Sequence, residues 1–220
     1  MQNISVIKIV LADDHAFLRE GIAGYVERKS KDMEVVGQAS NWKELMRVLR
    51  SNIQCDLALL DIMMPNGDGL NMVKNIRAEF PNIKLLMYSS LPEEEYALRF
   101  IKSGASGFIS KADSIKNVLR FIRDAVKDKI VLSEKYKQTL AGIRANNSDP
   151  ISPVENLTDR EFQVLVQLGS GKSPSEVAEL LHLSPRTVST HRNNILRKMN
   201  WKNNAEMMFY VIKNGMADLN

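Results

Sequence analysis

The stretch LALLDIMMPNGDG, residues 57–69, decides how the rest of the chain is read. Four apolar residues, Leu57 to Leu60, run straight into Asp61, and a proline and two glycines then stop any regular element from continuing. A short apolar run bounded by turn residues is the pattern of a strand buried on both faces. Asp61 is therefore expected where that strand leaves the core. In an open parallel α/β sheet, the loops beyond the carboxyl ends of the strands form the ligand crevice, which makes Asp61 a candidate for chemistry.

The same grammar extends in both directions. Strands are expected over 6–12, 34–39, 57–60, 83–88 and 107–109, alternating with amphipathic helices over 16–29, 42–50, 70–79, 93–102 and 114–127. Five strands alternating with five helices predict an α/β doubly wound, five-stranded parallel sheet covered on both faces, with right-handed crossovers. In that architecture the ends of the first, third, fourth and fifth strands carry Asp13 and Asp14, Asp61, Ser89 and Lys111 to one rim. Three carboxylates so close repel one another unless a cation sits among them. Oxygen ligands with little histidine or sulfur nearby suit magnesium, which takes one or two carboxylates and completes its octahedron with carbonyl, water and phosphate oxygens. The implied substrate is a phosphoryl group. A carboxylate attacks phosphorus to form an acyl phosphate when a metal and a fixed cation neutralise the transferring oxygens: Asp61 attacks, Asp14 holds the metal and Lys111 pairs with the phosphoryl oxygens. Singly, each residue has a plainer reading. The acidic pair serves as a helix cap or solvated loop, Asp61 caps a turn, Ser89 and Phe108 are structural, and Lys111 is solvated. Convergence on one rim is what favours a site.

Composition sets the outer limits. The 220 residues suffice for one large domain or two ordinary ones, each with its own core. Thirty Lys and Arg against 26 Asp and Glu give a formal charge of +4, too mild to identify a polyanion binder without knowing where the excess lies. Cys55 is the only cysteine, so an intrachain disulfide is excluded, and it reads as a small buried hydrophobe. The apolar run near the start is short and interrupted by Asp13, and no later stretch is long enough to span a bilayer. A cytoplasmic protein with no membrane partner is expected.

Helical character continues from 128 to 139, and then GIRANNSDPISPVEN (142–156) loses apolar periodicity, as a linker does. Beyond it the strands disappear. A small all-α domain of four helices is expected: Thr158 with Glu161 opens the first through a capping box, the second covers 173–181, the third 185–199 with Pro185 after Ser184, and the fourth 205–213. On the third helix Val188, Ile195 and Met199 recur at core spacing with His191 beside them, while Ser189, Thr190, Asn193 and Arg197 fall opposite. That short polar face suits base edges in a major groove. Residues 184–202 contain Arg186, Arg192, Arg197, Lys198 and Lys202 and no acid, so positive charge is focused there. His182 reads as a turn residue and no zinc-like spacing accompanies His191.

DDHAFLREG (13–21), DIMMPNGDG (61–69), Ser89 and GASGFISK (104–111) resemble the flavodoxin-like receiver domain of two-component response regulators, and the DDH with Arg19 and Gly21 resembles its NarL/FixJ/LuxR branch. The stretch LTDREFQVLVQLGSGKSPSEVAELLHLSPRTVSTHRNNILRKM (157–199) resembles the LuxR-type helix-turn-helix. The resemblance implies 1–128 as receiver, 129–155 as linker with a short helix, and 156–220 as DNA-binding domain. It implies Asp61 as the aspartate phosphorylated by a sensor histidine kinase, and Mg2+ or Mn2+ held by Asp14, Asp61, the Met63 backbone carbonyl and, through water, Asp13. Lys111 matches the family lysine, Ser89 the switch hydroxyl and Phe108 the switch aromatic. Ser189, Thr190 and Asn193 match base-edge contacts, and Arg186, Arg192, Arg197, Lys198 and Lys202 phosphate contacts on promoter DNA, bound as a homodimer, with RNA polymerase as a further partner. Ser90 and Ala112 depart from common receiver residues without removing a functional group, whereas Ser189 departs from the basic residue many members place there, which implies low affinity per half-site and makes dimerisation more important. A haloacid-dehalogenase-like phosphohydrolase is the competing enzyme reading, but Met63 stands where such enzymes place a second acid. A regulator working without phosphorylation is the third reading. No multiple-turnover catalyst is expected.

Overall fold

The computed structural model describes residues 6–51, 54–64, 69–146 and 152–217. Its first part is a parallel sheet of β1 (Ile7–Ala12), β2 (Met33–Ala39), β3 (Leu57–Leu60), β4 (Lys84–Ser89) and β5 (Gly107–Ser110), in the order β2-β1-β3-β4-β5. Helices α1 (Ala16–Lys29), α2 (Trp42–Arg50), α3 (Gly69–Glu79), α4 (Glu93–Lys102) and α5 (Ile115–Val126) follow the strands in turn. All four residues of β3 are buried, as the continuous apolar run requires of a central strand covered on both sides. Strand side chains alternate between faces. Ile9, Leu11, Leu57, Leu59, Leu86, Tyr88 and Ile109 join Ile22 and Val26 of α1 and Val118 and Ile122 of α5 in one core layer. On the other face Phe108 packs toward Phe100 of α4, with ring centroids 6.3 Å apart.

The strand order reverses between β1 and β3. The chain goes outward from β1 to β2, then returns to β3 on the opposite side, so the loops leaving β1 and β3 part and open a crevice between them. The residues beginning those loops are Asp13 and Asp61. Arg123 of α5 pins the start of β2 through a forked pair with Asp32, Nε to Oδ2 at 2.7 Å and Nη2 to Oδ1 at 2.9 Å. That guanidinium holds the Asp32 carboxyl well below the usual carboxylate range.

After α5 the chain departs from the expected continuous helix. Asp128 adopts a left-handed backbone, φ 61°, and Val131 forms a parallel bridge to Gly107 at the edge of β5. The Phe108 N–H donates to the Val131 carbonyl at 2.8 Å and the Val131 N–H to the Ser106 carbonyl at 3.0 Å. A Cβ at Gly107 would stand 2.5 Å from the Val131 carbonyl oxygen, so this approach requires glycine. The physical reason for the break is the apolar Ile130-Val131-Leu132 run, whose β-branched residues suit a sheet edge. A helix, α6 (Glu134–Asn146), then begins and runs into the stretch read as irregular. Residues 147–151 of the expected linker lie outside the described residues, as do 65–68 of the turn after Asp61.

The backbone divides into two compact units, the chain passing from the first to the second between Lys137 and Gln138, within α6, and Glu94–Tyr96 grouping with the second. The later part of the chain is all helical: a 3-10 turn (Pro153–Asn156), α7 (Asp159–Gly169), α8 (Pro174–Leu180), α9 (Pro185–Met199) and α10 (Asn204–Lys213). Reciprocal capping boxes open α7, at Thr158 and Glu161, and α8, at Ser173 and Glu176. Val154, Leu165, Val177, Val188, Ile195, Met207 and Val211 are fully buried. Among the described residues no helix is long and apolar enough to cross a membrane.

The contact of α7 with α10 sets a test. A Cβ on Gly169 would stand 2.3 Å from Cγ2 of Val211, so Gly169→Ala is expected to destabilise the second unit by about 1–3 kcal/mol through overpacking. In denaturant melts, Gly169→Ala combined with Val211→Ala should lose less than the sum of the two single changes.

Candidate functional site

The two loops leaving β1 and β3 are stitched together at their start. The Asp61 N–H donates to the Ala12 carbonyl at 2.8 Å, and the Asp13 N–H to the Ala39 carbonyl at 3.1 Å. These bonds continue the ladder by one residue and hold both acids at the strand ends. Asp13 and Asp61 are buried, 4% and 2% exposed, whereas Asp14 is exposed. From the end of β5 comes Lys111, whose N–H donates to the Ser89 carbonyl at 2.9 Å. Its Nζ reaches back across the crevice to donate to Asp61 Oδ2 at 2.7 Å and lies 2.9 Å from Asp13 Oδ2. The second contact is an ion pair that compensates the charge on Asp13 Oδ2.

Burial pushes the Asp61 carboxyl above its ordinary range, and the Lys111 ammonium and the Met63 N–H, 3.1 Å from Oδ1, offset only part of that. For Lys111, burial pushes the ammonium down, but the carboxylates of Asp13 and Asp61 outweigh it and leave the group above its ordinary value. The corner thus holds two buried acids against one fixed cation. Asp13, Asp14, Asp61 and His15 each place one donor atom within 4.8 Å of the others, a cluster able to hold a metal ion.

Of the residues picked from the sequence, Asp13, Asp14, Asp61 and Lys111 come together. Ser89 is fully buried at the end of β4, its hydroxyl accepting from the Leu91 N–H at 3.2 Å. Phe108 is buried below the rim, three residues before Lys111, and Met63 is 41% exposed beside Asp61. Two residues were overlooked in this role. His15 belongs to the acidic cluster, and its position directly after the acid pair was the available signal. Arg19, one turn into α1, donates to the Asp13 carbonyl and to Gln38, which fixes the loop from outside.

In the second unit, α9 begins after a tight turn in which His182 is left-handed, φ 53°, and Ser184 accepts from the Thr187 N–H at 3.1 Å. Val188 and Ile195 face inward. Arg186, Ser189, Thr190, Asn193 and Arg197 are exposed, Arg192 is half-buried, and Lys202 is exposed beyond the helix end. The Ser189 and Thr190 hydroxyls donate to the carbonyls of Pro185 and Arg186, each at 3.0 Å. Arg192 donates to Asn204 and Asn193, and Arg197 to Asn194. Lys198 differs from the other cations. Its Nζ donates to Glu161 Oε2 at 2.7 Å and to the Asn156 carbonyl at 3.3 Å. Burial raises the Glu161 carboxyl, but Lys198 and Thr158 more than offset this and leave it below its ordinary range. Lys198 is exposed and flanks the buried stripe of Val188 and Ile195, from where its long side chain reaches Glu161.

Comparison with known proteins agrees with both halves. Residues 9–123 match the response regulator receiver domain, and residues 155–211 match the bacterial regulatory proteins of the luxR family. The response regulator protein VraR of Staphylococcus aureus is 30% identical over 210 residues, covering 96% of this chain and 98% of the relative. Among solved structures, RcsB of Salmonella typhimurium aligns with TM-score 0.76 at 20% identity, over 96% of this chain and 98% of that one. RcsB of Salmonella enterica serovar Typhimurium, solved with promoter rprA and the phosphomimetic BeF3−, aligns with TM-score 0.74 at 21% identity, over 93% and 98%. These likenesses support the same fold.

Lys111 is expected to hold the crevice together electrostatically. Lys111→Met should cost about 3–5 kcal/mol at pH 7.5, because it leaves buried carboxylates without their cation. Asp61 is already raised by burial, so its penalty is present above its folded pKa and disappears as pH falls through it. The deficit relative to the parent, read from urea melts, should therefore shrink as the pH is lowered.

Proposed function

The chain belongs to the response regulators of the NarL/LuxR family, which join a receiver domain to a LuxR-type DNA-binding domain, and from that premise we propose that Asp61 accepts a phosphoryl group from a sensor histidine kinase and that its phosphorylation controls the binding of α9 to promoter DNA. The observation carrying this reading is the corner around Lys111, where one ammonium stands 2.7 Å from Asp61 and 2.9 Å from Asp13 at the switch point of the sheet. Residues 1–128 act as receiver, 129–155 as linker and 156–220 as the DNA-binding domain, in the cytoplasm.

Asp61, kept ionised by Lys111, attacks the phosphorus, and the bond to the kinase imidazole nitrogen breaks with its electron pair returning to that nitrogen. Asp14, Asp61 and the Met63 carbonyl, with Asp13 acting through water, would hold magnesium, which would supply the charge that the transferring oxygens need. Lys111 exchanges an Asp61 oxygen for a phosphoryl oxygen. The added charge of about −1.5 to −2 draws the Ser89 hydroxyl toward the new oxygens and releases Phe108 to repack, a two-state shift at the surface of β4 and β5. Each Asp61 accepts one phosphoryl group per cycle, so the role is that of a switch and not an enzyme.

The output is a homodimer that presents two copies of α9 to successive major grooves, ~34–36 Å apart. Ser189, Thr190 and Asn193 read base edges, while Arg186, Arg192, Arg197 and Lys202 meet phosphates. Lys198 has the same sign of charge, but its bond to Glu161 assigns its main contribution to the second unit's own fold.

Two experiments check this. Asp61→Asn should abolish magnesium-dependent labelling by radiolabelled acetyl phosphate and remove phosphodonor-stimulated promoter binding; unchanged stimulation would overturn the proposal. In salt titrations of promoter binding, Arg186→Ala should lower the slope of log affinity against log salt by about 1. Lys198→Ala should change that slope less and instead lower the melting temperature of the second unit.

A further inference from the structure

Three exposed side chains on the outer face of α9, Ser189, Thr190 and Asn193, have part of their hydrogen-bonding capacity already committed within the second unit. Ser189 Oγ and Thr190 Oγ1 lie 3.0 Å from the carbonyl oxygens of Pro185 and Arg186, one turn back. A carbonyl oxygen only accepts, so each hydroxyl places its single proton there and keeps only lone pairs for a further partner. Asn193 is committed in the opposite sense. Its side chain meets Nη1 of Arg192 at 3.1 Å, and a guanidinium only donates, so the amide atom facing it is the carbonyl oxygen Oδ1. The Nε of Arg192 donates in turn to Oδ1 of Asn204, the first residue of α10. That bond anchors the half-buried guanidinium between the two helices. Asn193 is left with its NH2 group, a donor, for a further partner.

Resting on the reading of α9 as the helix that enters the major groove, we propose that this face selects bases by polarity. Ser189 and Thr190 accept from exocyclic amino groups, adenine N6 or cytosine N4, and Asn193 donates to acceptor atoms, guanine O6 and N7 or thymine O4. A hydroxyl free to rotate serves a donor or an acceptor equally and discriminates little between bases. One whose proton is fixed elsewhere discriminates, because a base acceptor brought against its lone pairs is repelled. The usual pairing of asparagine is bidentate to adenine, accepting from N6 while donating to N7. With its carbonyl oxygen turned to Arg192, Asn193 does not take that pairing. Arg192 is thus a positioning residue for Asn193 as well as a cation within reach of phosphate, and Asn204 gives α10 a hand in base choice.

The test is selection of duplexes from a randomised pool by the full chain treated with acetyl phosphate and Mg2+, followed by affinity measurements on the selected site. Ser189→Ala, Thr190→Val and Asn193→Ala should each erase the preference at a particular base pair. Methylating an exocyclic amino nitrogen keeps Watson–Crick pairing but removes the N–H that faces the major groove. At the pairs lost in the first two variants, that methylation should weaken parent binding about tenfold and binding by the matching variant less than about twofold. At the pair lost in Asn193→Ala it should change parent binding less than about twofold. Arg192→Met, which frees the carbonyl oxygen of Asn193, should move the preference at that pair to adenine and make it sensitive to methylation. The opposite pattern of sensitivity, or variants that leave every preference unchanged, would overturn reading by polarity and leave the DNA-binding reading standing. A parent that selects no sequence would overturn both.

Discussion

Two carboxylates brought into one dry corner repel each other, and the fold accepts that repulsion because of where it occurs. Asp13 and Asp61 follow neighbouring parallel strands at the point where the strand order reverses, so backbone hydrogen bonds, and not side-chain preference, bring them together. Ordinary packing would place an apolar pair there. Instead a lysine reaches across from the end of a third strand and compensates part of the charge. A corner left short of positive charge is one that gains from an arriving cation or from a group that spreads its negative charge over more oxygens. Reactivity is thus stored as incomplete neutralisation, and the surrounding sheet, buried on both faces, provides the rigidity that keeps the acids from relaxing apart.

The second unit handles buried charge in the opposite way. Glu161 is enclosed by the Thr158 cap and the Lys198 ammonium, and nothing about the arrangement is left short. One carboxylate, one cation and one hydroxyl close a local network that ties the start of α7 to the end of α9. The consequence is that the exposed face of α9 is held by its inner face. A helix offered to a duplex has to arrive with its orientation fixed, because freedom lost on binding subtracts from affinity.

Much of this was legible in residues because the relevant periods are short. α1, α2, α4 and α9 begin and end where the apolar spacing puts them, and β3 coincides with the run of four apolar residues before Asp61. The convergence of Asp13, Asp14, Asp61 and Lys111 followed from strand-end positions and parallel topology alone. What escaped depends on distant contact. The edge pairing of Val131 needs Gly107, 24 positions earlier, and a local pattern sees only an interruption in helical character. The bond from Lys198 to Glu161, 37 positions earlier, is likewise invisible to local spacing, which shows only an exposed basic residue beside the stripe of Val188 and Ile195. The contacts of His15 with Asp13 and Asp14 depend on its side-chain direction at the helix start, which spacing does not give.

The seam between Val131 and β5 has a mechanical meaning. Two backbone hydrogen bonds join Val131 to Ser106 and Phe108, and only Leu132 and Ser133 lie between that seam and the first residue of α6. Two residues' worth of slack cannot absorb a sideways step of the strand, so the root of α6 has to travel with it unless both hydrogen bonds break, at about 1 kcal/mol each. The strand and the helix root behave as one stiff link, and a tug at either end is felt at the other.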